Sequence, residues 1–259
     1  TGPGPSTVWY EALQVDTVLR SNYFYGNGNS GTWTEHQSYT ESDGVIYEFN
    51  RFGPMRSGAW GSQLKDRSVG TVIRYNYFQR SDQGWMIDLV EPENSRQTLG
   101  SRASYGQDFV YGNVMSTNGV SNLVHWNEDH QLGVGRATRS GARLAFYNNT
   151  VYVTGNDTGY NPQYLFNSTY GAYECTSGSL PGVIDLRNNI FASVPTSAGA
   201  QPVQLRLAYC SNTTFASGTN WITAGWASNT SSAVPGAAGM MSTGSLAFVN
   251  AAAGDFHIA

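Results

Sequence analysis

One motif recurs along this chain at a fixed register and limits what it can fold into. A short apolar strand is followed by Asn, one residue of any kind, and Phe. It stands at Val18-Leu-Arg-Ser-Asn22-Tyr-Phe24, Ile46-Tyr-Glu-Phe-Asn50-Arg-Phe52 and Val72-Ile-Arg-Tyr-Asn76-Tyr-Phe78. Looser copies carry Asn113, Asn149 and Asn189. The asparagines are spaced by 28, 26, 37, 36 and 40 residues. A minimal solenoid coil takes roughly 20–25 residues, so the longer spacings imply loops inserted at corners. Alternating Val, Ile, Phe and Tyr bury one face of a strand. Asn tolerates left-handed backbone, which places it at a tight bend between sheets. Stacked bends let each amide bond the next, and the Phe two residues on points inward to form an aromatic column. An antiparallel sandwich gives many short strands but no Asn-x-Phe at one register. The expectation is an all-β chain wound as a right-handed parallel β-helix, a solenoid with looped corners.

The repeat is strongest in the middle. Residues 1–15, with Trp9, Tyr10 and Leu13, read as an N-terminal cap or partial coil, and residues 16–211 as the β-helix. Residues 212–259 are rich in Ser, Ala, Gly and Thr and read as a less regular capping segment of the same domain. Charge is uneven. Residues 1–130 hold 14 of the 18 acids and 9 of the 14 bases, so charged chemistry is concentrated there.

Composition excludes several classes. Charged residues are only 12 %, too few for a charged helical bundle, and 30 Gly with 34 aromatics are too much core and turn material for disorder. A net charge of −4 predicts no nucleic-acid partner. No apolar run approaches the roughly 18 residues of a membrane span. Lys65 is the only lysine, and Ser, Thr, Asn, Gly and Tyr do the solvating, which suits a secreted or cell-surface protein that handles sugars. The opening Thr-Gly-Pro-Gly-Pro reads as a product whose targeting segment has been removed. Cys175 and Cys210 are compatible with one disulfide closing a long loop. Sequons at Asn148, Asn156, Asn167, Asn212 and Asn229 are candidate glycosylation sites.

Polar clusters precede the repeat asparagines at broadly similar offsets. Glu41, then Lys65, Asp66 and Arg67, then Asp88 and Glu91, then His125, Trp126 and Asp129 are expected to stack as a vertical stripe, coils about 4.8 Å apart. A register error of one residue would reverse which side chains point outward. The run His125 to His130 lacks a third matched ligand for zinc. No nucleophile elbow, phosphate loop or dinucleotide glycine fingerprint is present.

The Asn-x-Phe coils, the Leu64-Lys-Asp-Arg-Ser68 segment and the closing Asp255-Phe-His-Ile258 resemble bacterial secreted right-handed β-helix proteins. More distantly, Arg67-Ser-Val-Gly-Thr-Val-Ile-Arg-Tyr-Asn76-Tyr-Phe78 is similar to a coil of the alginate lyase and chondroitinase B polysaccharide lyase family. The likeness covers roughly residues 14–191. It implies a polysaccharide partner and β-elimination on an acidic glycan, with a Lys and an Arg as base and acid and with acidic residues holding Ca²⁺. The family lysine's position is held by Arg67, with Lys65 two residues earlier, and the next coil offers Asp88.

Uronate β-elimination needs the carboxylate neutralised, a base at the C5 proton and an acid at the leaving oxygen. Arg67 could pair with the carboxylate, Lys65 or His125 could be the base, and Asp66, Asp88 and Glu91 could carry Ca²⁺. Glu41, Asp88 and Trp126 are the candidate substrate contacts, Trp126 as a sugar-stacking platform. The alternative is an ion-pair ladder in a noncatalytic extracellular β-helix that builds a fibre or binds glycans, its open ends stacking as a homo-oligomer or end to end. Convergence of Lys65, Arg67, Asp88 and His125 in an open groove favours the enzyme. Pairing under a loop favours the structural protein.

Overall fold

A computed structural model describes residues 14–80, 84–117, 122–129, 135–154, 164–167, 182–194, 206–208, 214–222, 240–242 and 247–258. Their regular secondary structure is nearly all strand, arranged in three long sheets whose internal pairings are all parallel, with one short helix at Arg96–Gly100. The first sheet runs Val15–Arg20, Asp43–Glu48, Val69–Arg74, Gln107–Tyr111, Arg143–Tyr147, Val183–Arg187 and Thr214–Ser217. The second begins Tyr23–Phe24, Arg51–Phe52, Tyr77–Arg80 and continues to Asn220–Ile222 and Met240–Ser242. The third runs Ser38–Thr40, Leu64–Asp66, Trp85–Leu89, Asn122–Trp126, Tyr164–Asn167 and Arg206–Ala208. The chain visits first, second and third sheet in turn and then begins the next circuit. No helix of the described residues is long and apolar enough to cross a membrane.

Period-two patterning explains the first sheet. In Val69–Arg74 the inward Val69, Thr71 and Ile73 are buried and the residues between them are half-buried. The interior is a column of stacked rings: Phe24 on Phe52 at 4.8 Å, and Phe52 on Phe78 at 4.5 Å and 3°. Met115, Val151 and Phe191 continue this layer, as the Asn-x-Phe motif predicts.

The corner between first and second sheets is uniform. Asn22, Asn50, Asn76, Asn113, Asn149, Asn189 and Asn220 form a ladder in which each side-chain oxygen accepts the backbone N–H and amide N–H of the preceding member. Each buried amide also donates to carbonyls of its own bend or the preceding circuit, as Asn76 does to Arg74 and Tyr47. Asn50 and Asn76 thus lie on adjacent circuits. The left-handed residue is not the ladder Asn but the one before it. Ser21, Phe49, Tyr75, Gly112, Asn148 and Asn188 have φ between 53° and 65°. The physical reason is that the ladder amide is already fixed by its own bonds, so the bend falls on its neighbour. Gly112 is required on a second ground, since a Cβ there would come within 2.6 Å of the Tyr75 ring.

The seventh copy, Asn220-Trp-Ile222, pairs with Ile190–Phe191 and carries Ile where the motif has Phe. The sheets therefore run past residue 211, where the composition suggested an irregular cap. At the end of the chain Phe248–Asn250 and Asp255–Ile258 form an antiparallel hairpin whose Phe248 and Phe256 pack on Tyr152 of the second sheet at 5.6 and 5.2 Å. Of the expected N-terminal cap, residues 1–13 lie outside the described residues.

Candidate functional site

Loop insertions differ sharply between corners. Two residues always join first to second sheet, whereas the connections entering and leaving the third sheet vary widely in length. The third sheet is accordingly buried on both faces, as in Leu64–Asp66 and in Met86–Leu89. Its outward side chains are in strict register: Tyr39 beside Lys65, Lys65 beside Asp88, Asp88 beside His125, and His125 beside Asn167. Neighbours in such a column sit one strand spacing apart, close enough for charged side chains to pair.

They do pair. The Lys65 ammonium donates to Asp88 Oδ2 at 2.9 Å and to Asp129. Asp88 Oδ2 also accepts the Ser62 hydroxyl at 3.0 Å, and its Oδ1 lies 2.8 Å from His125 Nδ1. Arg67 Nη2 donates to both Asp129 oxygens at 2.9 Å, Nη1 to the Glu91 carbonyl at 2.7 Å, and Nε to the Tyr39 hydroxyl at 2.6 Å. That hydroxyl donates in turn to Glu93 at 2.9 Å. Lys65 is 7 % exposed and Arg67 2 %. The covering segments supply Glu91, Glu93 and Asp129, so the cluster is closed by the loops that follow the third-sheet strands.

Electrostatics follow from this geometry. Burial works against the Lys65 ammonium, yet Asp88 and Asp129 outweigh it and hold its pKa above the ordinary lysine value. Burial likewise opposes the Asp88 carboxylate, but Lys65 and His125 hold its pKa well below the usual range, and Lys65 and Arg67 do the same for Asp129. Glu91 moves the other way, raised by burial and by Asp129. His36, whose Nδ1 accepts the Ser62 N–H at 2.8 Å, is pushed down to about 4, chiefly by burial and then by Lys65.

Several expected residues are elsewhere. Asp66 and Trp126 follow Lys65 and His125 in their strands, so alternation turns them inward. Asp66 accepts Thr40 and Thr71 hydroxyls and the Ser68 N–H, and ion-pairs with Arg136 at 3.1 Å. Trp126 is fully buried and donates to Asp108 at 2.7 Å, which corrects its assignment as a sugar platform: no face is left for a ring. Glu41 accepts the N–H groups of Asn94 and Ser95, the latter the N-cap of the short helix, and so anchors the covering loop rather than a substrate. Calcium does not fit the residues assigned to it. Asp66 and Glu91 face different environments, each already bonded, and no group of three or more His, Cys, Asp or Glu suited to a metal occurs among the described residues.

The buried group of Asp66, Asp108 and Arg136 is the part that sequence reasoning missed. Arg136 donates to the Val90 carbonyl at 2.8 Å, to the Asp66 carbonyl at 3.0 Å and to Asp108. It enters from a short 3₁₀ turn, Arg136–Thr138, outside any repeat. The readable signal was Asp108, a charge at an inward position of Gln107–Tyr111. Among the sequons, Asn148 is exposed at its left-handed bend and Asn167 half-buried. Asn156, Asn212, Asn229 and both cysteines, Cys175 and Cys210, lie outside the described residues. No protein-family profile, characterised protein or solved structure matches the chain.

Proposed function

We propose that the three parallel sheets wind as a right-handed parallel β-helix and that the molecule is a noncatalytic extracellular β-helix, its third-sheet charge cluster a structural lock. One observation carries this reading: both cations of the cluster are spent. Lys65 is held by Asp88 and Asp129, and Arg67 by Asp129, Tyr39 and the Glu91 carbonyl, with both cations buried beneath covering loops. A β-eliminating lyase needs a cation free to meet the substrate carboxylate and a base within reach of the proton. A lysine whose charged form is favoured by two carboxylates is a poor base at neutral pH. Extracellular placement is supported by a surface solvated by Ser, Thr, Asn and Gly with a single lysine.

A second reading, a secreted lyase acting on an acidic glycan, is favoured by one feature. His125 sets Nδ1 on Asp88 and stacks on Trp85 at 5.3 Å, while its buried Nε2 has no hydrogen-bond partner among the described residues. An imidazole oriented by a carboxylate, with its other nitrogen unbonded, is the arrangement of a general base. One experiment separates the two. The protein is incubated with alginate, chondroitin sulfate and pectate, with and without Ca²⁺, and the ultraviolet absorbance of unsaturated uronate is followed. The lock gives no product, and Lys65→Ala and His125→Ala lower the thermal midpoint. Product formation by the native chain, lost in His125→Ala while that variant stays folded, establishes the lyase instead.

A further inference from the structure

The corner between first and second sheets carries an open groove on a face remote from the Lys65 cluster in the sheet order. One wall is built from Phe49 and Tyr75, stacked at 5.4 Å and 19°. The other is Tyr23, Arg51 and Tyr77, on successive circuits. The floor is the Asn ladder.

Three properties of this groove are not needed by the fold. First, Phe49 and Tyr75 are aromatic residues in left-handed backbone at φ 55° and 56°, a conformation that disfavours bulky side chains. The same position in other circuits is filled by Ser21, Gly112, Asn148 or Asn188, so the bend does not require an aromatic. Second, these rings lie in water rather than in the core, Phe49 57 % and Tyr75 49 % exposed, and so add little to folding. Third, Arg51 has no carboxylate within ion-pair distance among the described residues. Its guanidinium lies between the rings of Tyr23 at 5.0 Å and Tyr77 at 5.8 Å. Beside it, Arg20 and Arg74 share one carboxylate, Glu48, so the corner is locally cationic on a chain whose net charge is −4.

We propose that this groove binds an acidic oligosaccharide, its aromatic walls stacking on sugar rings and Arg51 pairing with a uronate carboxylate. Exposed flat rings offer the C–H faces of a sugar an apolar surface, and a guanidinium presents a planar fork to a carboxylate. The strand spacing repeats wall residues every 4.7–4.9 Å or so along the axis, which suits a polymer lying lengthwise. The shallow, open shape provides no deep pocket for an apolar peptide anchor. The site is independent of what the third-sheet cluster does.

Calorimetric titration with oligogalacturonate, a neutral mannan oligomer and poly-glutamate tests the proposal, with thermal unfolding of each variant as the folding control. The native protein is expected to bind oligogalacturonate in preference to both others and to lose affinity with added salt. Arg51→Gln is expected to weaken binding by at least about tenfold. Tyr75→Asn is expected to weaken it comparably with its thermal midpoint kept, since Asn occupies this position in two other circuits. Absence of binding by the native chain, equal binding of poly-glutamate, or undiminished binding by folded Arg51→Gln overturns it.

Discussion

The third-sheet face and the first-to-second corner spend arginine and aromatic residues in opposite ways. On the third sheet, inserted loops fold back over the strands, and Lys65, Asp88 and Arg67 meet their partners under cover. At the corner the connection is always two residues long, no insertion among the described residues covers it, and Arg51, Phe49 and Tyr75 are left facing water. A stripe of charge is therefore poor evidence for a working site by itself. Whether the neighbouring connections are long enough to close over it decides what it does. Buried charge pairs are costly to break and carry little net stabilisation relative to apolar packing, whereas exposed groups are energetically idle until a ligand arrives.

This contrast can be broken most directly at Arg136. Arg136→Leu strands Asp66 and Asp108 in the core, and a loss of about 3–5 kcal/mol in chemical denaturation is expected. A loss below about 1 kcal/mol would show that the interior tolerates the two carboxylates unpaired. Next comes Lys65→Met, which leaves Asp88 with Ser62 and His125 alone, for an expected cost of about 3 kcal/mol. If Lys65→Met is as stable as the native chain, the cluster is not a lock.

The pH dependence sharpens the same comparison. His36 binds its proton less tightly folded than unfolded, so the unfolded chain takes up more protons between pH 6.5 and about 4, and stability falls as pH is lowered through that window. The shift sets an upper bound of about 3 kcal/mol, and His36→Gln is expected to flatten this part of the profile. Asp88 and Asp129, whose pKa values are depressed, add stability present above their unfolded values and lost in stronger acid, while Glu91 acts in the opposite sense. A thermal midpoint unchanged from pH 7 to pH 4 would contradict the burial of His36. The smallest effect belongs to the corner: Arg51→Gln is expected to change stability by less than about 0.5 kcal/mol, because its guanidinium is exposed and meets no carboxylate among the described residues. A large loss there would make Arg51 a structural residue.

Much of this was legible in the chain. Six of the seven ladder asparagines and the Phe24, Phe52 and Phe78 column follow from the Asn-x-Phe spacing, because a stacked circuit repeats its bend. The meeting of Lys65 with Asp88 and His125 was also readable, since similar offsets from the ladder place residues in one column. Facing was not. Asp66 and Trp126 differ from their outward neighbours by one residue, and nothing in a local pattern of buried and charged side chains fixes that parity on a sheet covered on both sides. Nor was Arg136 legible, because it arrives from an insertion with no repeat to locate it. Asn220 escaped because the strand before it, Thr214-Phe-Ala-Ser217, lies in a Ser-, Ala-, Gly- and Thr-rich stretch and lacks the Val, Ile and Leu of the other copies.

The ladder has a direction. Every amide from Asn22 to Asn189 donates onward to the following member and none is reversed, so the row is a line of dipoles with its carbonyl poles all turned toward the start of the chain. Bonds in such a line polarise one another. Deleting Asn113 at the centre cuts one long row into two short ones and removes mutual reinforcement on both sides. Deleting Asn22 merely shortens it, so identical chemistry has unequal weight according to place.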